Sequence, residues 1–346
     1  MNRHISTINT YLSGLWQNII PAKTGVSIEK THSTFWVMVK KDMADHVKSW
    51  RFVILITIIF LTSFGSLYAA LSHMPELAGS LGADNRFFFL LLFSASDGTI
   101  PPLFVLLAFM GPLIGLSMGF DAINMEQNKG TLSRILAQPV PRDYVINSKF
   151  VSSLIIIGIM VVALTMIVSG AGLRAIGIPP SADEFMRIII FTIITIIYIA
   201  FWLNLAILFS VRFRQPATSA LAGIAIWLFF AVFYPLIVNV VTQFFEPSQH
   251  APVTAFIFYE NLKAALTQII PGELYNQTVA TILTPTIRSI GPLTMEQLSG
   301  TIPGALPLGQ SLLVIWPQLT GLITLTLICF ILSYTSFMRR EIRSRG

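Results

Sequence analysis

The sequence predicts an all-α, multi-spanning membrane protein, and three observations carry that prediction. Apolar residues make up 54% of the 346-residue chain, charged residues only 11%, and mean hydropathy is +0.74, well outside the range of a soluble domain. Six stretches lack any Asp, Glu, Lys or Arg: 52–71, 100–120, 150–173, 188–211, 215–245 and 297–338. Each is long enough for a helix to cross a hydrocarbon core about 30 Å thick, which takes about 20 residues. The stretches run on without period-two alternation, which excludes a spanning strand barrel. Six transmembrane helices in a single domain, 1–346, follow, with no internal repeat and no low-complexity tract.

The tail 1–51 ends in a helical pattern at 34–50. Phe35, Trp36, Val39, Met43 and Val47 fall near one face, and Lys40, Lys41, Asp42, Asp45 and Lys48 mostly elsewhere. That suits an N-terminal interfacial helix; the alternative is a continuation of the first span into water. The first span starts at residue 52 without a small-residue cleavage signature, so it reads as a retained helix. The apolar run within 86–102 is too short to cross. It is either a dip into the outer interface or the start of a longer second span. The fifth and sixth stretches exceed the span length, so their ends must be loop or interface. Between them, 246–309 is rich in proline and contains two helical patterns, 253–270 and 272–283, broken at Pro271. Asn276-Gln277-Thr278 within it fits a glycosylation sequon.

Basic residues orient the bundle. The N-terminal tail, the 121–149 loop, the 212–214 link and the C-terminal tail hold 17 of the 22 Lys and Arg, so both termini are expected in the cytoplasm. The net charge of +6 is explained by this asymmetry toward membrane lipid and gives no reason to expect nucleic-acid binding. Cys329, the single cysteine, lies inside the last span and forms no intrachain disulfide.

Catalytic patterns are missing. The chain has no GxxxxGK[ST], HExxH, CxxC or GxSxG, and its five histidines are far apart in sequence. The middles of the spans carry no ionisable residue, unlike carriers driven by ion gradients. Asp121 comes nearest, and it lies at a span end, where snorkelling to water is cheap. The energy source is therefore expected on another subunit.

The 121–149 loop is polar, short and shaped. Thr131 can cap a short helix, Leu132, Ile135 and Leu136 fall on one side of it, and Pro139 and Pro141 stop it. Asp143 can cap the next helix, which runs through Lys149 into the third span. Such a helix, braced between two spans, would transmit the movement of a cytoplasmic partner. The plainer alternative is a structured loop whose Arg134, Arg142 and Lys149 meet lipid phosphates.

Glu126, Gly130-Thr131-Leu132, Leu136-Ala137, Pro139-Val140, Arg142 and Lys149 together resemble the E…GTL…LL(A/S)xPVxR…K signature of ABC-2 type permeases, the membrane subunits of type V exporters. The motif covers about 30 residues, while the architecture matches over the whole chain. The resemblance implies that this helix is a coupling helix held in a groove of a cytoplasmic ATP-binding-cassette ATPase. It also implies a second permease chain, identical or related, and no cofactor here, ATP and Mg²⁺ residing on the ATPase. Glu126, Gly130, Thr131, Leu132, Arg134, Leu136, Pro139 and Arg142 match the signature. Leu132, Ile135 and Leu136 would then be apolar contacts with the ATPase. Glu126 and Arg142 would brace the loop, pair with each other or touch the partner. The helices at 253–270 and 272–283 would match the family's external gate, with Tyr259, Pro271 and Glu273 as its candidate residues. The remainder, from Arg288 to Pro307, could dock an extracytoplasmic partner. The implied function is a permease of an ATP-driven exporter at the cell membrane. The alternatives are a non-transporting component relaying ATPase motion outward, and a gradient-driven carrier or channel. Asn204, Ser169 and Thr192 in the spans would suit an amphipathic cargo, and would equally suit helix packing.

Overall fold

The computed structural model describes residues 28–81, 87–96, 98–248, 251–286 and 305–339, and among these there are helices and turns but no strand. In chain order the elements are α1 (Ile28–Val47), α2 (Trp50–Leu81), α3 (Leu91–Ser94), α4 (Leu103–Gly119), α5 (Asn124–Asn128), α6 (Thr131–Leu136) and α7 (Arg142–Ile176). They continue with α8 (Ala182–Arg212), α9 (Pro216–Leu228), a π turn (Phe229–Phe233), α10 (Tyr234–Gln243), α11 (Val253–Thr267), α12 (Pro271–Leu283) and α13 (Leu308–Met338). Six helices among the described residues are long and apolar enough to cross a membrane: Trp50–Met74, Leu103–Asn128, Arg142–Ile176, Ala182–Arg212, Pro216–Gln243 and Leu308–Met338.

Helix α8 is the centre of the bundle. It packs against α4, α7, α9, α12 and α13, and Tyr198 and Trp202 at its middle are fully buried. Lipid tails are as apolar as leucine, so membrane helices associate by close fit rather than hydrophobic expulsion. Glycines at every fourth position of α4 supply that fit. A Cβ on Gly115 would lie 2.7 Å from the Ile199 carbonyl oxygen, and one on Gly119 would lie 2.7 Å from Ala206 Cβ. Sequence analysis did not single out this Gly111-Gly115-Gly119 ridge, although its spacing is plainly visible. The fifth span is the opposite of α8, with most of its apolar side chains exposed, Leu221, Phe233, Leu236 and Val240 among them. Its π turn precedes Pro235, which has no N–H to give the carbonyl four residues earlier.

Local chemistry sets the element ends. Ser181 and Glu184 form a reciprocal capping box at the start of α8, at 3.3 and 2.8 Å. Gly177, at φ 77°, closes α7 in the left-handed conformation. Where it is described, the segment at 86–102 is not part of the second span, which starts at Leu103. Phe89, Leu90, Leu92 and Phe93 are buried in the bundle, and Phe89 N–H donates to Glu184 Oε1 at 2.8 Å. Pro101 and Pro102 separate this dip from α4.

Helices α11 and α12 match the two patterns expected in 246–309, yet they are unalike. No residue of α11 is buried, whereas α12 enters the bundle against α4, α8 and α13. Tyr275 stacks on Tyr198 with ring centroids 4.5 Å apart, and its hydroxyl lies 3.0 Å from that of Thr195. The sequon expectation fails here: Asn276-Gln277-Thr278 is helical, and buried Thr278 donates to the Leu274 carbonyl at 2.6 Å. Leu306 N–H donates to the Pro285 carbonyl at 2.9 Å, closing the neck of the 287–304 stretch. That stretch, which includes Arg288, lies outside the described residues.

Candidate functional site

α1, the 120–141 connection, the 213–215 link and the end of α13 share one end of the bundle, called the basic end here because most described Lys and Arg lie there. Its centre is a platform made of α5, α6 and the turn into α7. Ser210 of α8 accepts the Ile123 and Asn124 N–H groups at 2.9 and 3.2 Å, holding the entry to α5. Gly130, at φ 67°, reverses the chain between α5 and α6. Gly130, not Thr131, is therefore the cap residue of α6. The Thr131 hydroxyl donates instead to the Glu126 carbonyl at 3.1 Å, tying the two short helices together. Likewise Pro141 takes the cap position of α7, and Asp143 lies in its first turn with no capping bond, where its charge still suits the helix dipole.

The apolar stripe of α6 faces inward. Leu132 is only 3% exposed, and Ile135 and Leu136 pack on the chain's own core. A six-residue helix cannot stand by itself in water, so it holds its shape by burying that stripe. Leu132 is therefore not a free surface for a partner, while Ile135 and Leu136 keep part of their surface exposed. The exposed rim is Lys129, Gly130, Ser133, Arg134, Gln138, Pro139 and Arg142.

Beneath the platform is a cluster of ion pairs. Lys149 Nζ lies 2.7 Å from Asp42 Oδ1 and 2.5 Å from Glu126 Oε1, joining α1, α5 and α7. Ser148 donates to Asp42 at 3.3 Å, and Lys41 approaches Glu126 at 3.6 Å. Glu126 thus pairs with lysines, not with Arg142. Asp121 does not snorkel freely; it is buried and paired with Arg51 at 2.7 Å, whose guanidinium lies 4.9 Å above the Phe120 ring. His46 Nε2 is 3.2 Å from Ser153 Oγ. Burial pushes its pKa below the ordinary 6.5, Asp121 and Asp42 pulling upward while Lys149 and Arg51 add to the fall. Asp42 was legible only as one charge of an amphipathic helix. Its position seven residues after Phe35 and three after Val39 places it on the packed face of α1, where Phe35 meets Tyr144 edge-on.

At the far end, Pro271 is buried as the first residue of α12, and Glu273 accepts from Gln277 at 2.9 Å within the same helix. Tyr259 stands on α11, half-buried. Sequence reading passed over Arg187, which is 0% exposed. It donates to Asp183 at 3.0 Å, to the Ile282 and Leu306 carbonyls at 3.0 and 2.7 Å, and to Ser311 at 3.2 Å. One side chain thereby locks α8, the end of α12 and the start of α13. Asn204 reaches the Thr326 carbonyl of α13 at 3.5 Å, and Thr192 meets Thr165 of α7 at 3.3 Å, both as interhelical contacts.

Fold and site together define a polytopic helical membrane protein with a braced platform at one end of its bundle. The chain belongs to the ABC-2 family of transporter proteins: the family model described as ABC-2 family transporter protein matches residues 36–342. It is similar to the probable ABC transporter permease protein NosY of Stutzerimonas stutzeri, 25% identical over 318 residues that cover 88% of this chain and 98% of that protein. The protein of the same name from Pseudomonas aeruginosa is 25% identical over 206 residues, 58% of this chain and 68% of the relative.

Proposed function

We propose that the chain is the membrane-spanning permease of an ATP-driven exporter, and that its platform docks on a separate cytoplasmic ATPase that binds ATP and Mg²⁺. The observation that carries this reading is the division of α6 into a locked apolar side and an exposed rim, Ser133, Arg134 and Gln138 to Arg142. A loop that only turned the chain would need neither. The excess of Lys and Arg at the basic end supports a cytoplasmic orientation for it. Movement imposed on the platform would pass through Lys149 into α1 and α7, and through Ser210 into α8. The bare apolar face of the fifth span suits a second permease chain as well as lipid.

A pull-down from the native host tests the docking. Wild type, Arg134→Glu/Arg142→Glu and Leu132→Ala are compared in detergent, each checked for a monodisperse elution profile. Wild type is expected to retain an ATPase that carries its own phosphate-binding loop, and the charge-reversed rim to lose it at least about tenfold. Leu132→Ala, whose side chain does not face outward, should retain it wherever it remains folded. No ATPase with wild type, or full retention by the reversed rim, would refute the proposal.

A further inference from the structure

The basic ends of α8 and α13 border a second site, a cleft of about 610 Å³ beside the platform, where Asn128 of α5 donates to the Arg214 carbonyl at 3.1 Å. Arg212 in the last turn of α8, Arg214 in the link that follows and Arg339 at the end of α13 all line it. None of these guanidinium groups has a carboxylate partner among the described residues, whereas Arg51 and Arg187 at other span ends each have one. Three guanidinium groups without a carboxylate partner thus converge on one cleft.

Capping explains part of this. A cation near a helix C-terminus offsets the helix dipole, so Arg212 and Arg339 would each have a structural use. Arg214 lies beyond both helices and has none of that kind. The cleft also has a graded wall. Ser336 stands beside the arginines, while Leu208 and Leu332, one and two turns deeper into the spans, continue the same helix faces. A phosphate oxygen matches the planar fork of arginine, and an acyl chain matches the leucines. The place where α8 and α13 leave the apolar core is the depth at which lipid headgroups lie.

We propose that this cleft binds the phosphate headgroup of an anionic phospholipid, with an acyl chain running along Leu208 and Leu332. The site goes beyond the permease function and does not depend on any ATPase.

Native mass spectrometry of the detergent-purified chain tests it, with dioleoyl-phosphatidylglycerol and dioleoyl-phosphatidylcholine as probes. Wild type should retain phosphatidylglycerol at least about tenfold better than phosphatidylcholine. Arg212→Gln/Arg214→Gln should lower phosphatidylglycerol retention roughly twenty-fivefold, about fivefold per arginine, and Arg214→Gln alone about fivefold. Lys40→Gln/Lys48→Gln, an equal charge change at exposed positions on α1 and just after it, should leave it within about twofold. Should the double arginine variant misfold, Arg214→Gln, outside both helices, decides the matter. Equal retention of the two lipids by wild type would overturn the site, as would equal losses in the lysine and arginine variants. Displacement of the lipid by millimolar inorganic phosphate would overturn it too, assigning the cleft to a soluble phosphate compound.

Discussion

Both ends of the bundle bury charge, and they do so in different ways. At the basic end, Lys149 is held by two carboxylates from two other elements, Asp42 of α1 and Glu126 of α5. At the far end, Arg187 is held largely by backbone: the carbonyls of Ile282 and Leu306, with Asp183 only four residues away on its own helix. Backbone acceptors at element ends are fixed in direction once the helices are packed. Side-chain carboxylates can rotate and exchange partners, and Lys41 already stands 3.6 Å from Glu126 as a second cation. The comparison teaches that the far end is built as a latch and the basic end as a joint, in which one Glu126 carboxylate oxygen is buried without a partner.

The sharpest break comes from removing each cation. Lys149→Met leaves two largely buried carboxylates facing each other, and should lower stability by about 3–5 kcal/mol, read as thermal unfolding in detergent. Adding Asp42→Asn and Glu126→Gln should restore at least half of that loss. Arg187→Met should lose somewhat less, about 2–4 kcal/mol, because its carboxylate Asp183 is partly exposed and the orphaned groups are neutral carbonyls. Asp183→Asn should give no rescue there. Rescue at both ends, or at neither, would erase the distinction between joint and latch.

Two smaller effects sharpen it further. Gly115→Val drives a side chain into the Ile199 and Leu203 backbone between the ends, and should cost about 1–3 kcal/mol without altering either cluster. The smallest effect is at His46. Because its folded pKa lies below 6.5, the unfolded chain binds the proton more tightly. Its contribution is complete above pH 6.5 and declines as pH falls through the window below that value. Stability profiles of wild type should therefore sag on acidification below pH 6.5 relative to His46→Gln, read as thermal unfolding across that window.

The spans, the helix before the first of them and the two helices of 253–283 were legible in the sequence, because continuous apolar runs and proline breaks are local signals. The direction in which α6 faces was not. Leu132, Ile135 and Leu136 make a stripe that suits a partner's groove or the chain's own core equally well, and only the packed bundle shows Leu132 buried in that core with Ile135 and Leu136 half-buried beside it. The ion clusters were hidden for another reason: Asp42 and Lys149 are 107 residues apart, and no periodicity links them. The same holds for Arg187, whose acceptors are mostly carbonyls and leave no mark on side-chain pattern. The glycine ridge of α4 was readable and shows how a spacing of four can pass unnoticed in a run of apolar residues.

Paired spin-label distances across the two ends test the joint and the latch most directly. With Cys329→Ser as background, labels at Ser133 and Thr335 span the basic end, and labels at Ala182 and Thr286 span the far end; all four positions are exposed. The chain is measured with its co-purified ATPase, without nucleotide and with ATP. A shift in the 133–335 distribution with the 182–286 distribution unchanged is the predicted result. A shift confined to 182–286, or no nucleotide response at 133–335, would contradict the account.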